Sequence, residues 1–175
     1  TLTAQFTPEH AVRLSLSPNY ATRTGDERIQ ADPNARDPLT AKRDLLTFVS
    51  GIEYELNALS ERLSNIVFVK DYLYSANSEE VLPGNIFRER DESKHSLGVG
   101  DAFRFQIFPW LYAKASYEYA TRLPRPDEVF GDGVLILANL ELEPEVSHNA
   151  NVGPRIEYRD DASGEWTLDI NAFLR

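Results

Sequence analysis

The chain has 175 residues, 42% hydrophobic and 26% charged, with 28 acidic against 18 basic side chains and a formal net charge of −10. That length and balance suit one ordinary domain and exclude a disordered or low-complexity segment. The acidic excess, without any basic stripe, excludes a surface built to grip a phosphate backbone.

No run of about 18 apolar residues occurs, so no helix is expected to cross a membrane. A membrane barrel stays open, because its strands are apolar on one face only and its lumen and loops are polar. The chain has no cysteine, which rules out disulfides and thiol-held metals. His10, His95 and His148 stand far apart without ligand spacing, so no cofactor or metal is expected. The sequence opens without Met or a signal peptide, and it is expected to begin inside a longer gene product.

Along the chain the dominant pattern has period two, the repeat of a strand with unlike faces. In 12–23, Val12, Leu14, Leu16 and Tyr20 oppose Arg13, Ser15, Ser17, Asn19 and Arg23. In 44–57, Leu46, Phe48, Ile52, Tyr54 and Leu56 oppose Thr47, Gly51, Glu53, Glu55 and Asn57. The stretch 62–75 is ambiguous, because Ile66, Val67, Phe68 and Val69 put apolar groups on both faces. In 93–107, Leu97, Val99, Phe103, Phe105 and Ile107 alternate with small and polar residues. In 110–122, Leu111, Ala113, Ala115, Tyr117 and Tyr119 oppose Lys114, Ser116, Glu118 and Arg122. In 145–158, Val146, Ala150, Val152, Ile156 and Tyr158 oppose Ser147, Asn149, Asn151, Arg155 and Glu157. In 165–175, Trp166, Leu168, Ile170, Ala172 and Leu174 oppose Glu165, Thr167, Asp169 and Asn171.

The pattern predicts an all-β, antiparallel up-and-down meander of about seven strands, each about 10–14 residues long. A tilted membrane crossing needs strands of about 9–11 residues. Long polar connections at 24–42, 76–92 and 123–144 alternate with short turns at 58–61, 107–109 and 159–164. Long outer loops and short periplasmic turns give that rhythm in an outer-membrane barrel. Phe108, Trp110, Tyr158 and Trp166 lie beside short turns, and Tyr20, Tyr72, Tyr74 and Tyr119 near the other strand ends, as two interfacial belts. Two residues oppose lipid contact. Asp101 falls on the apolar parity unless a bulge near Gly98 or Gly100 shifts it, and Pro154 removes a ladder donor, implying an edge or bulge.

The segments YAKASYEYATRLPRPDEVFGDG, NLELEPEVSHNANVGPRIEYR and WTLDINAFLR together resemble the barrel of TonB-dependent outer-membrane receptors. The matching positions are Ser116, Tyr117, Arg122, Pro124, Glu128, Phe130 and Gly131, then Asn139, Leu140, Pro144 and Glu145; Val129 stands where Leu is usual. The specific part covers about 110–175, and 1–107 matches in rhythm only. The resemblance implies a section of a large transmembrane β-barrel of about 22 strands, in the outer membrane of a Gram-negative bacterium. It implies uptake of a scarce nutrient (a siderophore, cobalamin or an oligosaccharide), with no enzyme activity. Residues 1–175 would be partial barrel without the family's plug domain, through which the TonB system would act, and the isolated piece would self-associate through open edges.

Single residues read mostly as structure. Arg122 faces the lumen by parity and reads as pairing with Glu118 on the same face rather than contacting ligand, while Pro124 and Pro126 fix the exit of the chain. Glu141, Glu143 and Glu145 share a parity and read as a charged rim rather than a catalytic pair. Asp127, Glu128 and Asp132 could contribute to a calcium loop but lack EF-hand order. Two other readings remain: a small complete barrel of about eight strands with 1–9 as the extra strand, and a soluble β-sandwich binding carbohydrate or a protein partner.

Overall fold

A computed structural model describes residues 1–23, 42–82, 86–131, 139–160 and 164–175. Six of the seven expected strands form, the one expected over 165–175 is split in two, and residues 1–9 supply another. The strands are β1 (Leu2–Thr7), β2 (His10–Arg23), β3 (Arg43–Ala58), β4 (Leu63–Leu82), β5 (Ile86–Phe108), β6 (Leu111–Arg122), β7 (Glu145–Asp160), β8 (Gly164–Asp169) and β9 (Ala172–Leu174). One short helix, α1 (Pro126–Phe130), stands between β6 and β7.

Each strand pairs antiparallel with its successor, giving an up-and-down meander from β1 to β8. The sheet is open, since β1 and the β8–β9 line lie at its two edges among the described residues. This overturns, for the chain by itself, the small closed barrel. Among the described residues there is one sheet, without the second layer of a sandwich, and Tyr117, Leu168 and Ile170 on its apolar side are 44%, 54% and 53% exposed.

Register carries the alternation unbroken across the sheet. Val12, Tyr54, Val67, Asp101, Tyr117 and Ala150 stand side by side on one face. That face holds the apolar parity of every strand. On it Leu16, Ile52, Val152 and Leu168 keep 53–60% of their surface exposed. Every Lys and Arg of the described strands falls on the opposite face. There the charges pair across strands, as in Arg13–Glu53, Lys70–Glu118 at 3.0 Å and Lys114–Asp169.

Two expectations are corrected and two open points are resolved. The loop expected over 76–92 is largely ladder, since β4 and β5 stay paired from Leu63↔Phe105 to Leu82↔Ile86. Residues 77–80 and 88–92 are polar without exception, so they carry no alternation, and backbone pairing needs none. The ambiguity of 62–75 resolves into Val67 and Val69 on the apolar face, with Phe68 and Tyr72 on the polar one. There the two rings lie against glycines: a Cβ on Gly100 would fall 2.2 Å from the Phe68 ring, and one on Gly98 3.0 Å from Tyr72. Aromatic rings thus fill the gap that side-chain-free positions leave in a sheet. Tyr72 and Tyr74 therefore leave the expected outer belt, while Tyr20 and Tyr119 keep the apolar parity. Finally, no bulge rescues Asp101, because β4–β5 pairing runs through it without a shift.

Pro154 acts as its chemistry requires. Its carbonyl accepts from Ile170 N–H at 3.1 Å, so the missing donor faces the same neighbour, and the ladder breaks there between β8 and β9. The bypassing chain crosses Gly153 so closely that a Cβ would fall 1.8 Å from the Ile170 carbonyl oxygen.

Candidate functional site

The one buried cluster of described residues lies at the loop end of the polar face. Leu45 and Ala76 are cross-strand partners there, and Tyr74 stands beside them on the same parity. An apolar patch on a polar face needs a cover, and the chain following β6 supplies it.

Local chemistry shapes that cover. Leu123 packs against the cluster, and the pre-proline residue Arg125 is held extended at φ −85°, ψ 159°. Pro126 then opens α1 at the position where a missing N–H does no harm. Glu128, three residues on from Arg125, accepts the Arg125 backbone N–H at 2.8 Å. Gly131, at φ 66°, ends the turn where a side chain would be strained, and its carbonyl accepts from the Arg23 guanidinium. The single turn drives Val129 and Phe130 into Leu45, Tyr74 and Ala76, all at 0–1% exposure, and Leu140 closes the cluster at 3%. Burial of each large side chain contributes about 1.5–3 kcal/mol.

Arg122 holds this cover to the sheet. Its guanidinium donates to both oxygens of Glu128, at 3.1 and 2.9 Å. It also donates to both oxygens of Glu145, at 3.0 and 3.2 Å, from the position directly opposite on β7. The expected Glu118 partner is corrected, since Glu118 pairs with Lys70. Two forked contacts to planar carboxylates fix orientation as well as position. The Arg122 hydrogen bonds, with the Arg125 N–H second, hold the Glu128 carboxyl down to about 2.

The returning segment is tied in the same way. Asn139 N–H donates to Val129 O at 2.8 Å, and Asn139 Oδ1 accepts Glu141 N–H at 3.1 Å in a side-chain-closed turn. Tyr74 OH donates to Leu140 O at 3.4 Å, and Lys94 Nζ donates to Glu141 O at 2.7 Å. Glu141 pairs with Arg90, and Glu143 lies 3.7 Å from Lys94. Glu141, Glu143 and Glu145 thus each face a different cation, an arrangement unlike a catalytic carboxylate pair. A cleft lined by Arg122, Pro124, Glu128, Leu142, Glu143 and Glu145 opens beside the clamp, and Pro144 lines a neighbouring one.

The structure gathers Arg122, Pro124, Glu128, Phe130, Asn139, Leu140, Pro144 and Glu145 into one folded unit. Tyr117 is not part of it; it lies on the apolar face, where its OH meets His148 Nδ1 at 2.8 Å. Of the calcium-loop residues, Asp132 lies outside the described residues and Glu128 is occupied by Arg122. No group of three metal-binding side chains occurs among the described residues. Sequence reasoning missed the receiving residues Leu45, Tyr74 and Ala76 and the cations Arg23, Arg90 and Lys94. A signal existed for the first three, which are apolar or aromatic residues at the polar parity. No family model matches the chain, and no curated protein matches it.

Proposed function

We propose that this chain is part of the wall of a TonB-dependent outer-membrane receptor that takes up a scarce nutrient such as a ferric siderophore, cobalamin or an oligosaccharide. The carrying observation is the segregation of the sheet. Every Lys and Arg of the described strands lies on one face, and the other presents exposed apolar side chains on strand after strand, with Asp44, Asp71 and Asp101 set among them. In water such a face is an aggregation surface. Against acyl chains it is the required one, since a lipid-exposed Lys or Arg at mid-depth costs about 2–4 kcal/mol.

The receptor assignment is supported by the convergence of the family-like residues on the Arg122 clamp. On this reading the polar face lines the lumen and the described parts of the cover, 123–131 and 139–144, lie inside the mouth; the loop expected over 24–42 lies outside the described residues but for Lys42. The hairpin between β4 and β5 would project beyond the bilayer, and the neighbouring wall would satisfy the open edges.

The test is growth of cells lacking the protein, with each nutrient class in turn supplied at limiting concentration. Loss of growth on one class, reproduced by removing TonB, is expected, with the protein in the outer-membrane fraction. Unchanged growth on all three, or recovery of the folded protein from the aqueous fraction without detergent, overturns the reading.

A further inference from the structure

The apolar face carries polar groups that lipid does not explain: Asp71 beside His95, Asp44 beside Tyr20, His10 beside Tyr54, and a track around Asp101. Asp101 sits on β5 with Phe103 and Phe105 on the turn side and Val99 and Leu97 on the loop side, all on its own face. Its carboxylate is exposed and takes a hydrogen bond from Asn65 Nδ2 on β4. On its other side it stands directly opposite Tyr117 of β6, whose hydroxyl meets His148 Nδ1 of β7. Asn65, Asp101, Tyr117 and His148 therefore stand in line over four strands, from among the apolar residues of β5 to His148, directly opposite the belt residue Tyr119.

A carboxylate at that depth needs a cation or several donors, and acyl chains offer neither. Asn65 is a neutral partner, and no Lys or Arg lies on this face among the described strand residues. Kept ionised there rather than protonated, the carboxylate draws its cation from beyond the Lys and Arg of the described strands. A second copy docked by the same face would bring carboxylate to carboxylate, so the complementary surface belongs to a different chain. Resting on the membrane reading above, we propose that the β4–β7 sector around Asp101 docks a membrane-embedded segment of a second protein. That segment is apolar, and it sets one Lys or Arg against the Asp101 carboxylate.

The test places a photo-crosslinking residue at Ala115, exposed beside the track, and at Leu16, 56% exposed on β2 of the same face. Cells making the intact protein are irradiated and their outer membranes analysed. Ala115 should yield a discrete protein adduct and Leu16 lipid adducts. Asp101→Asn should cut the protein adduct at least about tenfold, the scale of losing one partner of a desolvated charge pair, and Asp101→Glu should retain it. Peptide mapping should place the adduct next to a Lys or Arg in an apolar segment. Reversing both charges, with Asp101→Lys against an acidic partner residue, should restore it.

Lipid adducts at both positions, an adduct with the mass of a second copy, or a protein adduct that survives Asp101→Asn each overturn the proposal while leaving the lipid-facing wall standing. No lipid adduct at Leu16 instead removes the membrane reading, and the proposal with it.

Discussion

The polar face of this sheet is built in two ways. At its loop end Leu45, Tyr74 and Ala76 are sealed under Val129, Phe130 and Leu140, and the seal is pinned by Arg122. Toward the turn end the same face is open, and its strands are linked by exposed ion pairs such as Lys70–Glu118 and by rings lying over glycines. The contrast teaches where specificity resides. Exposed pairs contribute about 0–1 kcal/mol each, whereas packed side chains contribute several times that. The loop end therefore holds a single conformation by burial, and the turn end is ordered mainly by backbone pairing.

Substitutions should separate the two ends in order of size. Phe130→Ala opens a cavity in the sealed cluster and should lower stability by about 3–5 kcal/mol, measured by denaturant unfolding in detergent, with faster proteolysis in 123–144. A loss below about 1 kcal/mol would mean that the cover is not anchored by packing. Gly100→Ala forces the Phe68 ring off β5, since the new Cβ would fall 2.2 Å from it. A cost of about 1–3 kcal/mol is expected, relieved when Phe68→Ala is added, which a double-mutant cycle reads directly.

Arg122→Ala should act locally on the cover. In the native protein the Glu128 carboxyl titrates at about 2, well below its ordinary 4.5. Because the folded value is the lower one, the clamp contributes fully above about pH 4.5 and is lost as pH falls toward 2. A carbon-13 carboxyl titration should show that midpoint moving back up in Arg122→Ala, and an unmoved midpoint would refute the clamp. Lys70→Ala at the open end should cost at most about 1 kcal/mol by the same unfolding assay. A larger loss would erase the distinction between the ends.

Much of the sheet was legible in the chain. Alternation in 12–23, 44–57, 110–122 and 145–158 is a local property, and it located those strands and their faces. Pro154 marked an irregularity in 145–158, but that it falls on the neighbour and splits the strand expected over 165–175 into β8 and β9 was not legible. The ribbon over 76–92 was not legible, since polar residues on both faces erase the period-two signal while backbone pairing persists. The partner of Arg122 was not legible either. Glu118 shares its strand and parity, but Glu128 and Glu145 reach it only after the chain has turned through α1 and returned on β7.

What the order of residues determined by itself was the set of ribbons, their antiparallel succession and the parting of oily from charged sides, all consequences of a two-residue repeat and short turns. Only the folded molecule decided that the segment after β6 turns inward onto Leu45 and Tyr74, which three acidic residues meet which cations, and that Asp101 keeps its place on the apolar side. Those outcomes depend on register between distant strands, where a shift of one residue reverses every side chain, and no short window of sequence contains that information.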